Sequence, residues 1–132
     1  KNLQGSCGAE IMTVETTTQK RAIARYVRIS PSKVRRIANL VRGKSVHVAL
    51  GVLDNLPHKG ALLLAKVVRS AYANVKQTGI TVDEAAAQVA LIMINEAPVM
   101  KRHRPRAKGR MCQILKRSSH IDVHVSAPGG EV

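Results

Sequence analysis

The stretch Val99–Arg117 (VMKRHRPRAKGRMCQILKR) carries eight cations and no acid, and apolar segments bound it on both sides. Like charges at that density repel one another. The few apolar side chains among them bury too little surface for the stretch to pack alone. Its flanks read as strands. Gln88–Asn95 (QVALIMIN) is apolar on both alternations, as suits a strand covered on one face by helices. After the basic stretch, Ile121, Val123 and Val125 alternate with His120, Asp122 and His124, the pattern of a half-exposed closing strand. Joining two such strands makes the basic segment a hairpin, from about residue 96 to 120, whose arms extend roughly 30 Å at about 3.3 Å per residue. An isolated two-stranded arm is marginal in water. This one becomes well ordered when buried in something negative. A disordered basic loop is the bland alternative, against which stands the rarity of long structureless loops in compact domains.

A second acid-free block lies between Glu15 and Asp54, with nine cations, and the segment between the two blocks balances four basic with four acidic residues. The formal net charge is +14 over 132 residues. Two basic blocks flanking a neutral, apolar-rich middle form the footprint of a polyanion-binding surface rather than of an ordinary solvated face. Aromatic content limits how that polyanion is read. There are two Tyr and no Phe or Trp, too few for a base-stacking platform of the kind single-strand binders use. Phosphate and shape recognition by Arg and Lys remains. The longest uncharged run, Ala85–Asn95, is eleven residues, short of the roughly 20 that span a bilayer as a helix. No membrane partner is expected.

Periodicity supplies the rest of the fold. Ala22–Ile29 reads as a strand with Ile23, Val27 and Ile29 on one face. Ser30 and Pro31 open a first helix, as N-cap and first helical residue. Val34, Ile37, Ala38 and Val41 form its inward stripe, and Gly43 ends it in the left-handed region. Ser45 caps a second helix carrying Val46, Ala49, Leu50 and Leu53, which stops at Pro57. A third runs from about Lys59 to Gln77, with Ala61, Leu64, Ala65, Val68, Tyr72 and Val75 inward, and Gly79 closes it. The expected fold is α/β of the α+β kind: three helices on a small, mainly antiparallel three-stranded sheet with a protruding basic hairpin. Residues 1–19 and 127–132 are expected as flexible tails around a single domain, 20–126.

Catalytic chemistry does not emerge. Gly43-Lys44-Ser45 has the end of a phosphate-binding loop, but the earlier Gly is Ala38 and the motif follows a helix, not a strand. Gly5-Ser6-Cys7-Gly8 has no helix pair around it. The five histidines are scattered, and His120 and His124 share a strand face without a third metal ligand. Cys112 reads as a small packing residue. Neither a cofactor, a metal site nor an enzymatic reaction is expected.

ARYVRISPSKVRRIANLVRGKS (Ala24–Ser45), SAYAN (Ser70–Asn74), NEAP (Asn95–Pro98), MKRHRPRAKGR (Met100–Arg110) and KRSSHI (Lys116–Ile121) resemble, in order, the ribosomal large-subunit protein twenty-two family. The resemblance runs from about residue 22 to 126. It implies a structural constituent of the large subunit, its domain near the mouth of the polypeptide exit tunnel and its hairpin lining the tunnel wall. It also implies a role in assembly. The partners implied are large-subunit ribosomal RNA, neighbouring large-subunit proteins including protein four across the tunnel, and the nascent polypeptide. The expected RNA contacts are Lys20, Arg21, Arg25, Arg28, Ser32, Lys33, Arg35, Arg36, Arg42 and Lys44 in the first block. In the second they are Lys101, Arg102, Arg104, Arg106, Lys108, Arg110, Lys116, Arg117 and His120. The tunnel-lining tip is expected at Met100, Lys101, Arg102, His103, Arg104, Pro105 and Arg106. Ala97 stands where the family commonly has Gly, which predicts a stiffer hinge.

TVETTTQKRAIARY (Thr13–Tyr26) is similar to cyanobacterial and plastid members. The preceding KNLQGSCGAEI suits a chain after transit-peptide removal, so the chloroplast stroma is the expected compartment and the bacterial cytoplasm the alternative. From charge alone, a histone-like architectural DNA binder is the competing function, since a basic arm also serves minor-groove binding.

Overall fold

A computed structural model describes residues 18–78 and 83–128. Cys7, Gly79 and most of both expected tails lie outside these described residues. Six elements follow in chain order: β1 (Thr18–Val27), α1 (Pro31–Val41), α2 (Val46–Asn55), α3 (Lys59–Lys76), β2 (Gln88–Pro105) and β3 (Met111–Ala127). The strands form one antiparallel sheet in the order β1-β3-β2. The three helices cover one of its faces, so the α+β architecture with a long hairpin is what the chain adopts.

β3 is the central strand, and its alternation sets the core. Ile121, Val123 and Val125 are fully buried beneath the helices. Each lies in a cross-strand row: Ile94–Ile121–Ala24, Ile92–Val123–Ala22 and Val89–Val125–Lys20. From the helices come Val34, Ile37, Ala38 and Val41 of α1, Val46, Ala49 and Leu53 of α2, and Ala61, Leu64, Ala65, Val68, Tyr72 and Val75 of α3. The expected inward stripes are buried, except that Leu50 is only partly so.

Three bulges explain where simple alternation fails. Ile23, expected inward, is 42% exposed, while its neighbour Ala22 is buried. The register of β1 against β3 shifts between Ala24 and Val27. The extra residue returns Val27 and Ile29 to the core side, so one face reads Ala22, Ala24, Val27. In β2, shifts fall between Val89 and Leu91 and between Ala97 and Met100. The second contains Pro98, which cannot donate to a ladder and is accommodated at a bulge. Ala97 pairs with Ser118 without a positive φ, so Gly is not required there.

The ends differ slightly from expectation. β1 already includes Thr18 and Gln19, and Ala127 is buried as the last residue of β3. Ser30 and Ser45 occupy the N-cap positions but make no side-chain cap hydrogen bond. Pro31 fixes φ at the first helical position, which favours the start of α1 regardless.

Gly43 has φ +74°. That conformation lets its N–H donate to the Val89 carbonyl while Lys44 accepts from the Val89 N–H, both at 2.9 Å. The α1–α2 connection is thereby clipped to the start of β2. Gly51, in the middle of α2, has ordinary helical geometry and open space where a Cβ would stand. The two glycines predict opposite outcomes. Gly43→Ala should lower unfolding free energy by about 1–2 kcal/mol, the cost of placing a Cβ in the left-handed region. Gly51→Ala should raise it by roughly 0.5–1 kcal/mol, and urea denaturation of both variants checks the pair.

Candidate nucleic-acid interface

Beyond Ala97↔Ser118 the hairpin leaves the domain as a two-stranded arm. Its pairs run from Met100↔Lys116 to Pro105↔Met111. Pro105 lies eight positions beyond Ala97, giving a reach of about 26 Å at 3.3 Å per residue. A 3-10 turn over Ala107–Gly109 closes it, with Lys108 at φ 58°, Gly109 at φ 68° and the Arg106 N–H donating to the Arg110 carbonyl at 2.8 Å.

This closure moves the expected tip. Met100 to Pro105 form the outer half of one strand, and the turn itself is Arg106–Arg110. The PRAKG sequence supplies the reason: Gly109 takes a left-handed conformation readily, and Pro105 limits pairing at the end of β2.

Every residue from Met100 to Gln113 is exposed, Cys112 included. Cys112 is thus not the packing residue its small size predicts. No arm cation has an acidic partner among the described residues. Among the described residues Arg102 donates only to the neighbouring Lys101 carbonyl and to the Met100 thioether.

The first block divides into two sets. Lys33 and Arg36 on α1, with Arg25 and Lys44, are exposed, and their side chains are unpaired among the described residues. Ser32 is exposed with its hydroxyl 3.1 Å from that of Ser30, and Lys20 is half-buried opposite Val125. The other set is tied to the sheet. Arg35 donates to the Ile94 carbonyl (3.0 Å) and Arg42 to the Ile92 carbonyl (3.0 Å), both on the outer edge of β2. Arg28 donates to the Lys116 carbonyl (3.1 Å) and the Ser118 hydroxyl (3.1 Å), where β3 continues past the end of β1. These acceptors are neutral, so the three guanidiniums keep their full charge while filling open strand edges.

Arg21 is the exception. It forms a forked pair with Asp122, whose side chain is only 6% exposed. The hydrogen bond to Asp122 raises the Arg21 pKa above its ordinary value; desolvation opposes the shift and the carboxylate's charge adds to it. Asp122 lies between His120 and His124 on the outer sheet face, with the His124 Nε2 3.5 Å from its Oδ1. This is the carboxylate that sequence reading did not join to the two histidines. Among the described residues no group of three possible ligands is placed to hold a metal.

The structure brings one expected set together at the arm's root: Arg25 and Arg28 from β1 and its end, and Lys116, Arg117 and His120 from β3. It also adds Tyr26, which sequence reading set aside. The Tyr26 N–H donates to His120 Nδ1 at 3.1 Å, and the two rings meet edge to face at 4.7 Å. The available signal was the ARYV order itself, where two residues stand between inward Ala24 and Val27 instead of one.

A family model described as ribosomal protein L22p/L17e matches residues 22–126. The chain belongs to the L22p/L17e ribosomal protein family. It is 51% identical over 114 residues to large ribosomal subunit protein uL22 of Herpetosiphon aurantiacus, covering 86% of this chain and 98% of that one. The uL22 of Desulfatibacillum aliphaticivorans is 46% identical over 105 residues, covering 80% and 95% respectively. That of Microcystis aeruginosa is 42% identical over 115 residues, covering 87% and 96%. As a member of this family the chain is a structural ribosomal protein of the large subunit, not an enzyme.

The arm has charge to neutralise and almost nothing to pack on, whereas the domain buries its own core. Hydrogen exchange on the free protein should therefore show fast exchange from Lys101 to Arg110 and strong protection across α3 and Ile121–Val125. Strong protection along the arm without a polyanion would contradict this division.

Proposed function

We propose that the chain binds large-subunit ribosomal RNA through phosphate contacts, supports subunit assembly and runs its arm along the wall of the polypeptide exit tunnel. Protein four and the nascent polypeptide are the partners across that space. The observation that carries this reading is an arm of about 26 Å bearing eight cations, none with an acidic partner among the described residues. Such an arm in free solution keeps its self-repulsion. Threaded between phosphates, each cation gains a partner and releases counterions. The architectural DNA-binding alternative has no observation in its favour, because the family and the relatives are ribosomal.

On compartment we infer the chloroplast stroma, with the bacterial cytoplasm as the competing reading. The support is the Thr13–Tyr26 segment, with its cyanobacterial and plastid character. Detection in isolated, protease-treated chloroplasts of the source cell supports the stroma; recovery with bacterial ribosomes overturns it.

The salt dependence of binding tests the RNA reading. Affinity for bacterial large-subunit RNA should fall steeply with salt, with log K dropping by roughly 0.7 to 0.9 per phosphate contact for each decade of salt. A flat dependence between low and physiological salt overturns the phosphate model.

The arm's role is separable by balanced shortening. Deleting Met100–Arg102 alone leaves three β3 residues without partners. Deleting them with Ile114–Lys116 removes three whole pairs and shortens the arm by about 10 Å in register. The variant should fold and enter large subunits, while macrolide sensitivity or nascent-chain stalling changes. Loss from subunits with the domain still folded would make the arm an assembly anchor instead.

A further inference from the structure

At the root of the arm, on the sheet face away from the helices, lies a cleft of about 270 Å³ formed by β1 and the middle of β2 and β3, at Asn95, His120 and Asp122. We propose that this cleft takes one unpaired nucleotide of the bound RNA, its base stacked on the Tyr26 ring. The proposal rests on the RNA-binding reading above and names a site and a mode of contact that reading does not contain.

The backbone gives the first reason. Tyr26 has φ 55°, a conformation uncommon for residues other than glycine and unusual for a bulky aromatic. Such a residue persists only where its surroundings over-determine it. Here the bulge at Arg25–Tyr26 turns the ring out of the strand's alternation, and the hydrogen bond to His120 holds the turned peptide. The result is a tyrosine 63% exposed with its ring fixed in direction against His120. For a packing residue that exposure has no purpose.

The second reason is the chemistry around the ring. Because His120 Nδ1 accepts from the Tyr26 N–H, the neutral imidazole carries its proton on Nε2, which leaves a directed donor. Asn95 is exposed beside it, with an amide that both donates and accepts. Ile23 contributes an exposed apolar wall. An aromatic face with donors and acceptors at its margin is how unpaired bases are held, since their edges are free for hydrogen bonding. The ligand's charge follows from the neighbours. Arg25, Arg28, Lys116 and Arg117 surround the root, and the only acid lining the cleft among the described residues, Asp122, is neutralised by Arg21. A polyanion fits these surroundings; an acid-poor apolar protein segment gains nothing from them.

The test uses the full chain and bacterial large-subunit ribosomal RNA. Tyr26→Leu should weaken binding about ten-fold, equivalent to about 1.4 kcal/mol, with the salt slope unchanged, because stacking releases no counterions. The chain has no Trp, so Tyr26→Trp places a single indole in the cleft. It should keep near wild-type affinity, and its emission should be quenched at one equivalent of RNA. Tyr26→Asn separates stacking from structure. Asn tolerates a positive φ, so this variant should melt higher than wild type yet bind as weakly as Tyr26→Leu. Wild-type affinity in Tyr26→Leu with an unquenched indole overturns the proposal and leaves the surface to a protein neighbour. A reduced salt slope, or affinity loss that tracks a lower melting temperature, overturns it too. Failure of the wild-type chain to bind the RNA at all would instead bring down the RNA-binding reading itself.

Discussion

One strand holds the molecule together. β3 runs from Met111 to Ala127 and serves two environments in succession. Its C-terminal half lies between β1 and β2 with Ile121, Val123 and Val125 under the helices, and its N-terminal half stands in the arm paired with β2 alone. Nothing interrupts the backbone at the changeover, so the arm's direction is set by the core. Ser118 and Ser119, both buried, mark the boundary. On one side of them hydrophobic burial fixes register, because a one-residue slip would expose the whole inner row. On the other side, cations replace apolar residues and only the backbone ladder maintains pairing. A rigid base with a solvent-exposed extension is the outcome.

An excess of cations also has to be reconciled with a sheet that has open edges. The free carbonyls of β2, and those of β3 beyond the end of β1, would otherwise be a template for unwanted pairing. Arg28, Arg35 and Arg42 reach these carbonyls. Using arginine for this is economical in charge terms: a guanidinium has five donors and no acceptor, so one or two can serve a carbonyl while the others stay available. The same side chains can thus secure the domain and face a polyanion. Arg21 cannot do both to the same extent, because Asp122 neutralises it. Lys20, Arg21 and Arg25 look alike in sequence, yet the fold leaves them half-buried, ion-paired and, among the described residues, unpaired respectively.

What was legible in the sequence follows from which forces act locally. The helix stripes of α1 and α3 could be read because burial on a helix repeats at a fixed period, and Gly43 because its left-handed conformation is one few other residues take. The hairpin could be read from charge, since a basic run between two apolar strands has few other places to go. Parity along β1 and β2 could not be read. Each bulge inserts one residue and exchanges the inner and outer faces, and the cause is cross-strand pairing with β3, far away in sequence. Ile23 was therefore placed wrongly relative to the core, whereas Tyr26, opposite Val27 and Ile29, is exposed as its place in the alternation suggests. The turn was misplaced for a related reason: the closing geometry depends on how Pro105 and Met111 meet, not on composition. Division of the arginines into edge-filling and free sets was equally hidden, since their acceptors lie 50 to 90 residues away along the chain.

The positions of the two contacts proposed above are themselves informative. An arm of exposed cations, ordered only by its ladder, is suited to phosphates, whose attraction is long-ranged and tolerant of small displacements. Base stacking is different. It requires ring planes held within a narrow range of distance and tilt, and a side chain on a fluctuating arm would lose that geometry. The chain has one exposed tyrosine among its described residues, and it stands at the root, where β1, β2 and β3 converge and the core is nearest. There the His120 contact and the bulge fix both backbone and ring before any ligand arrives, so less ordering remains to be done on binding. Placing the tolerant contacts outward and the demanding one inward suits a hairpin whose outer part is exposed and held by its ladder alone. The positive φ of Tyr26 is consistent with that order, because the bulge and the His120 contact together hold an aromatic residue in a conformation it rarely adopts.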